Sequence, residues 1–536
     1  MNDTPARTRT APAVRRLRHR VRAALASLLC AVGLLFTASP VATADSASSG
    51  NDVQVAQTLG DRELTVVLRR VTGVPGPLQV DVITHTGTPA GRIKLGVVPT
   101  GVSTSSSAAS ASGTTTDTAV VALGATPGSY SAQLEVNQVG PWELTLNDGK
   151  RTATIPFVVS KQVTSPEEKA VYAGFIGAGV LILVTVVVAV RVRRGWWTLV
   201  PAGGVVACLA VAVTGAILSS TLPLPASQGG QVDATIDGVG NPYSSVGRQL
   251  TDYSRPPATL ALRSSTVRAG GTDDLRLTLT DASTGLPADD LVVHDGALLH
   301  LLVVGPSGQL WHLHPVRTGP GTFEVPVPLP EAGHYAVSAE VARRGGGVQQ
   351  LRSATGIAAV AGTAKARSTA VSAHSGPGAQ TVEGVRVRLT ASSLAAGEAA
   401  VLTARIGDKA TLQPWLGMLG HLIIVGPVSS ESTAVGEATQ NAEVWAHSHS
   451  MGSVSDDMAG MDMNSSTDMS SMSGLTSVNG DSTADETVAA YGPDVSFAYT
   501  FPTAGYYRIW IQVERDNTIL TIPYLLHVTD AAEGTR

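Results

Sequence analysis

The chain has 536 residues and a mass of 54.9 kDa, length for about three to four ordinary domains, with 15% charged residues and a mean hydropathy of +0.16, which excludes one soluble globular domain. Its 56 glycines and 30 prolines, against 4% aromatic residues, favour short strands and turns over helix bundles. Net charge is −5, and the first 44 residues hold seven arginines against Asp3, so the rest carries −11 and no nucleic-acid partner is expected. The two cysteines, Cys30 and Cys208, both lie in apolar stretches, which leaves no disulfide framework and no Cys-x-x-Cys metal or redox motif.

Arg15, Arg16, Arg18, Arg20 and Arg22 precede an apolar run, and Ala42-Thr43-Ala44 supplies the small residues of a cleavage site, so residues 1–44 read as a signal peptide. An uncleaved anchor helix is the other reading, set against a run short for a span. Residues 52–160 show short alternating runs separated by Gly, Pro and Asn-Asp-Gly turns, the patterning of a small sandwich. Within it, Gly128-Ser129-Tyr130-Ser131-Ala132-Gln133-Leu134 followed by Gly140-Pro141-Trp142-Glu143-Leu144 resembles the hairpin end of YtkA-like (FixH-related) extracytoplasmic domains. Its histidine, His85, is read as the end of a strand and not as a ligand.

Two segments, 171–190 and 196–219, have the roughly 20 apolar residues that a transmembrane helix needs. Arg191, Arg193 and Arg194 in the short turn between them put that turn in the cytoplasm by the positive-inside rule and both large β-regions on the extracytoplasmic side of the cell membrane. Neither span carries an acidic, basic or histidine residue at depth, so the pair is expected to anchor the chain in the lipid bilayer and not to transport.

After this hairpin one module occurs twice. Copy one, 257–360, contains an apolar strand opened by His300, then Trp311-His312-Leu313-His314-Pro315, then Ala332-Gly333-His334-Tyr335. Copy two, 381–530, repeats the order with His421, with Trp445-Ala446-His447-Ser448-His449, and with Ala504-Gly505-Tyr506-Tyr507. Residues 361–380 read as a linker, and 429–491 as a disordered Met- and His-rich insertion peculiar to copy two. The expected fold class is therefore mainly β: three small Ig-like or YtkA-like antiparallel sandwiches plus a two-helix transmembrane hairpin.

In each copy the His-x-His pair alternates onto one face of a strand, and the preceding strand brings a third imidazole beside it. This predicts two separate sheet-surface sites for Cu(II) or Zn(II), one of His300, His312 and His314, the other of His421, His447 and His449, with water, Asp295 or His294 open as a fourth ligand in the first. Six of the eight methionines then follow within the insertion: Met451, Met458, Met461, Met463, Met469 and Met472. Soft thioethers in a Ser/Asp-rich segment with no core to fill suit Cu(I).

The order of these motifs, with Gln413-Pro414-Trp415-Leu416-Gly417 before His421, resembles the secreted β-sandwich modules of bacterial copper-resistance systems, over less than a third of the chain. That resemblance implies copper handling at the cell surface, with a copper transporter or another envelope copper protein as partner. Copy two departs from the pattern in having Ser450 where copy one has Pro315. No enzyme activity is expected, because no catalytic triad, phosphate loop or His-Glu-x-x-His occurs and no cysteine serves a blue-copper centre. The alternative is a structural or adhesive surface protein of Ig-like modules with no metal role.

Overall fold

The computed structural model describes residues 52–69, 71, 73–100, 117–159, 166–192, 195–221, 257–263, 267–344, 346–362, 372–429, 434–450 and 490–531. The proposed signal peptide and all six methionines of the insertion lie outside them. The described chain is mainly antiparallel β-structure with two long apolar helices, and it divides into a helical unit, which includes 162–226, and a β unit of 49–161 and 227–536.

In the helical unit, the helices Pro166–Arg191 and Leu199–Thr221 are long and apolar enough to cross a membrane. Tyr172, Ile176, Leu183 and Leu199 are more than 60% exposed, the surface a helix offers to lipid and not to a protein core. The two helices meet at small residues. A Cβ on Gly174 would stand 2.6 Å from the Cys208 carbonyl oxygen, so glycine is what permits this approach.

The β unit holds three sandwiches. In the first, the sheet Val53–Leu59, Arg62–Leu68, Gly76–Thr84, Gly128–Val136 faces the sheet Asp117–Leu123, Gly91–Pro99, Gly140–Asn147, Thr152–Val159 over a core centred on Trp142, with Val80, Leu95, Leu134 and Leu144. Alternation produces this arrangement directly: Gly140–Asn147 is buried at every second residue.

The two copies share one plan. In copy one the strand His300–Val304 lies between Gly333–Arg343 and Leu310–Leu313, and in copy two Gly420–Val428 lies between Gly505–Arg515 and Val444–Ser450. The register is also the same: Leu302 pairs with His312, and Ile423 with His447, each two residues beyond the first histidine. The Ala-Gly-x-Tyr motifs turn out to be structural. Tyr335 donates to the Glu331 carbonyl at 2.8 Å and Tyr507 to that of Thr503 at 2.8 Å, a tyrosine corner in each copy.

Two expectations need correction. The first part of the insertion is ordered: a helix, Val435–Gln440, and the strand Val444–Ser450 precede the methionines, and the Val435 amide bonds to the Pro306 carbonyl of copy one at 2.8 Å. The linker also ends earlier than its composition suggests, since Gly378–Val382 already pairs with Val385–Ala391.

The copies pack sheet to sheet. His300–Val304 is buried along its whole length: Leu301 and Val303 face the copy's own core, while Leu302 and Val304 meet Ile423, Val425 and Trp510 of copy two. The first sandwich docks on both. Ala56 N–H donates to the Gly296 carbonyl (2.7 Å), Thr58 N–H to that of His314 (2.8 Å) and Thr86 N–H to that of Asn517 (2.8 Å).

Candidate metal centre

Because Leu302 and Val304 point at copy two, period-two geometry points His300 the same way, and the same holds for His421 ahead of Ile423 and Val425. The two predicted surface clusters are therefore one buried cluster between the copies. His300 and His312 of copy one lie 5.1 and 4.8 Å from His447 of copy two, ring centre to ring centre, and His312 lies 5.3 Å from His421. His314 and His421 are fully buried, the His447 side chain is 0% exposed and that of His449 is 11% exposed.

The inward nitrogens are close together. His300 Nδ1 is 3.1 Å from His312 Nε2, and His447 Nε2 is 3.2 Å from His421 Nδ1 and 3.1 Å from His449 Nε2. The edge of a tetrahedron around a zinc ion with Zn–N bonds of 2.0–2.1 Å is about 3.3 Å. Two triads, His300/His312/His314 and His312/His421/His447, each hold their ligand atoms within 4.8 Å.

Four of the outward nitrogens meet acceptors. His300 Nε2 faces the His294 carbonyl at 3.1 Å, His312 Nδ1 faces Gln512 Oε1 at 3.0 Å, His314 Nδ1 faces Glu63 Oε1 at 2.5 Å and His449 Nδ1 faces Asp295 Oδ2 at 3.0 Å. His447 Nδ1 lies 3.4 Å from Glu340 Oε1. His314 Nε2, on the cluster side, is buried without a hydrogen-bond partner, an arrangement that costs roughly 1–3 kcal/mol in an apo protein and that an ion would relieve; His421 Nε2 and His447 Nδ1, on the outward side, also lack a hydrogen-bond partner.

Burial and crowding keep four of the six imidazoles neutral. Burial, followed by the repulsion of neighbouring imidazoles, pushes His300, His312, His421 and His447 well below the usual histidine range. Burial lifts the Glu340 carboxyl to about 7. Burial would likewise raise Asp295, but hydrogen bonds from His294 and His449 and their charge hold it well below the usual carboxylate range.

Sequence reasoning selected the six imidazoles and missed their orienting partners, Glu63, Glu340 and Gln512, which come from distant strands. It also missed the role of Trp415, whose ring lies 4.6 Å from that of His421 and 5.4 Å from that of His312. His85, read as a strand end, is buried beyond Thr84 and bonds Glu514 of copy two at 2.9 Å, fastening the first sandwich beside the cluster.

Comparison with known proteins adds little chemistry. Residues 380–530 match the model of a domain of unknown function (DUF8832), which is copy two alone. No curated protein matches. Similar solved structures include the tetra-tandem repeat of the extending region of a large adhesion protein, at 9% identity over 89% of this chain and 74% of that one, TM-score 0.15. Another is the Escherichia coli adhesin FdeC, at 10% identity over 86% and 95%, TM-score 0.14. Invasin, a bacterial integrin-binding protein, aligns at 10% identity over 88% and 60%, TM-score 0.13. These are bacterial surface proteins. None of these matches is a YtkA-like or copper protein.

Proposed function

We propose that the chain is a membrane-anchored, extracytoplasmic protein that binds a transition metal, copper by preference, in the six-histidine centre between its two copies. The observation that carries this reading is the two-sided setting of the imidazoles: inward nitrogens at ligand spacing, with four of the six outward nitrogens hydrogen-bonded to acceptors, the shell that fixes ring orientation in metal sites. The preference for copper draws on the motif resemblance and on the methionines at 451–472, which would collect Cu(I) and pass it to His449, beside which they begin. The centre is for binding and not for catalysis, since its ligands are buried beneath three packed modules.

Titration of the full chain in detergent tests this. Wild type is expected to retain Cu(II) or Zn(II) through gel filtration, His312→Ala with His314→Ala to lose it, and deletion of 451–473 to lower Cu(I) uptake while sparing Cu(II). Equal metal content in wild type and the double variant would sink the reading. A second reading, a structural or adhesive surface protein without metal, fits the modular β build and predicts a metal-free chain in the same experiment.

The arginines at 191–194 support an extracytoplasmic placement of both β-regions. Protease added to intact spheroplasts should digest residues 52–159 and 257–531 alike, and protection of either region would contradict that placement.

A further inference from the structure

Beside the six imidazoles, on the copy-one side, His294, Asp295 and Glu340 hold their ligand atoms within 4.8 Å of one another. His294 Nε2 is 2.9 Å from Asp295 Oδ2. Asp295 sits in a left-handed turn at φ 49° that His294 closes onto Ala297 through two backbone hydrogen bonds, and Glu340 pairs in register with His300 on the neighbouring strand.

A second observation points into this group. The His447 side chain is fully buried, its Nε2 lies among the imidazoles, and its Nδ1, which has no hydrogen-bond partner, lies 3.4 Å from Glu340 Oε1. An imidazole so placed has one nitrogen in the all-nitrogen cluster and the other beside Glu340, a carboxylate of the mixed group. We infer that His294, Asp295, Glu340 and His447 Nδ1 form a second cation site, for a divalent first-row ion, joined to the histidine centre by the His447 ring.

The donor sets differ in kind. Six imidazoles accept either copper oxidation state, whereas two carboxylates and two imidazoles suit Zn(II) or Cu(II) and disfavour Cu(I), whose ligands are soft. Filling both positions requires His447 to lose its remaining ring proton to solvent as the second ion binds, leaving an imidazolate between two dications. The carboxylates of Asp295 and Glu340 supply the charge that balances the added ion.

This site rests on the proposed histidine centre only for its bridge, so the experiment reads the two separately. Zn(II) is counted per full-length chain after gel filtration in wild type, Glu340→Gln, His294→Gln and the His312→Ala/His314→Ala pair. Glu340→Gln and His294→Gln lie on different segments, and each is expected to retain one ion fewer than wild type. The histidine pair instead reports on the main centre. Cu(II) is then loaded to saturation and its unpaired spins counted. Wild type should show fewer spins than copper ions, because two Cu(II) ions across an imidazolate couple, whereas Glu340→Gln should show every spin. Wild-type stoichiometry in both single variants overturns the second site whatever the histidine pair does. A full spin count in saturated wild type overturns the bridge without reliance on any variant.

Discussion

Between pH 7 and pH 5 the metal-free protein should lose stability steeply. His300, His312, His421 and His447 are held neutral in the fold by burial and by one another, so their folded-state values lie well below the 6.5 or so of an unfolded histidine. Below that value the unfolded chain takes up protons that the native chain does not, and stability falls with pH. Glu340 acts in the opposite sense: raised to about 7, it keeps a proton in the fold that the unfolded chain has released, and so offsets one of the four histidines in this window.

The limiting net slope is therefore near three protons, about 4 kcal/mol per pH unit at ~1.4 kcal/mol per proton. His85 and His294, raised by Glu514 and Asp295 against the effect of their burial, contribute stability that is present below their unfolded value and lost as pH rises, so they act on the alkaline side. Urea denaturation of chelator-treated protein at half-unit pH steps measures the slope. A flat profile from pH 7 to pH 5 would mean that the cluster opens to water before it titrates. Bound metal should move the fall to lower pH, because it binds only the deprotonated ligands.

Much of this arrangement is legible in the sequence, and the rest is not, for a definite reason. Alternation at Gly140–Asn147 and the repeated order of His300, His312 and His314 against His421, His447 and His449 report local geometry, which depends only on neighbours along the chain and across one hairpin. Which two sheet faces meet depends on surfaces 100 residues or more apart. One signal of the meeting was present: the run from Leu298 to Val304 is apolar at successive positions, as in strands covered on both faces, and a histidine inside such a run belongs to an interior and not to a surface. Nothing local distinguishes Glu63 from any other strand carboxylate. Its role exists only because Thr58 and Ala56 bring the first sandwich's edge onto His314 and Gly296.

Replacing Glu63 with Gln is expected to weaken metal binding by about 10- to 100-fold while leaving the fold in place. Glu63 lies on Arg62–Leu68 of the first sandwich, and its Oε1 meets His314 Nδ1 at 2.5 Å while its Oε2 accepts from the Thr58 hydroxyl at 2.6 Å. That hydroxyl oxygen in turn accepts the His314 backbone N–H at 2.9 Å, so ring and backbone of one ligand are held by the same pair of side chains from another module. The carboxylate fixes the tautomer that leaves Nε2 free to face the cluster and makes that nitrogen a stronger donor. An amide in its place keeps the shape and removes the charge, so the effect should fall on affinity and little on unfolding, whereas His314→Ala removes the ligand itself. Competition against a chromophoric chelator, with thermal unfolding of the apo forms alongside, separates these outcomes. Unchanged affinity in Glu63→Gln would reduce the first sandwich to a packing neighbour, and a loss of the expected size would make it part of the centre, assembled from three modules with an orienting carboxylate from the first.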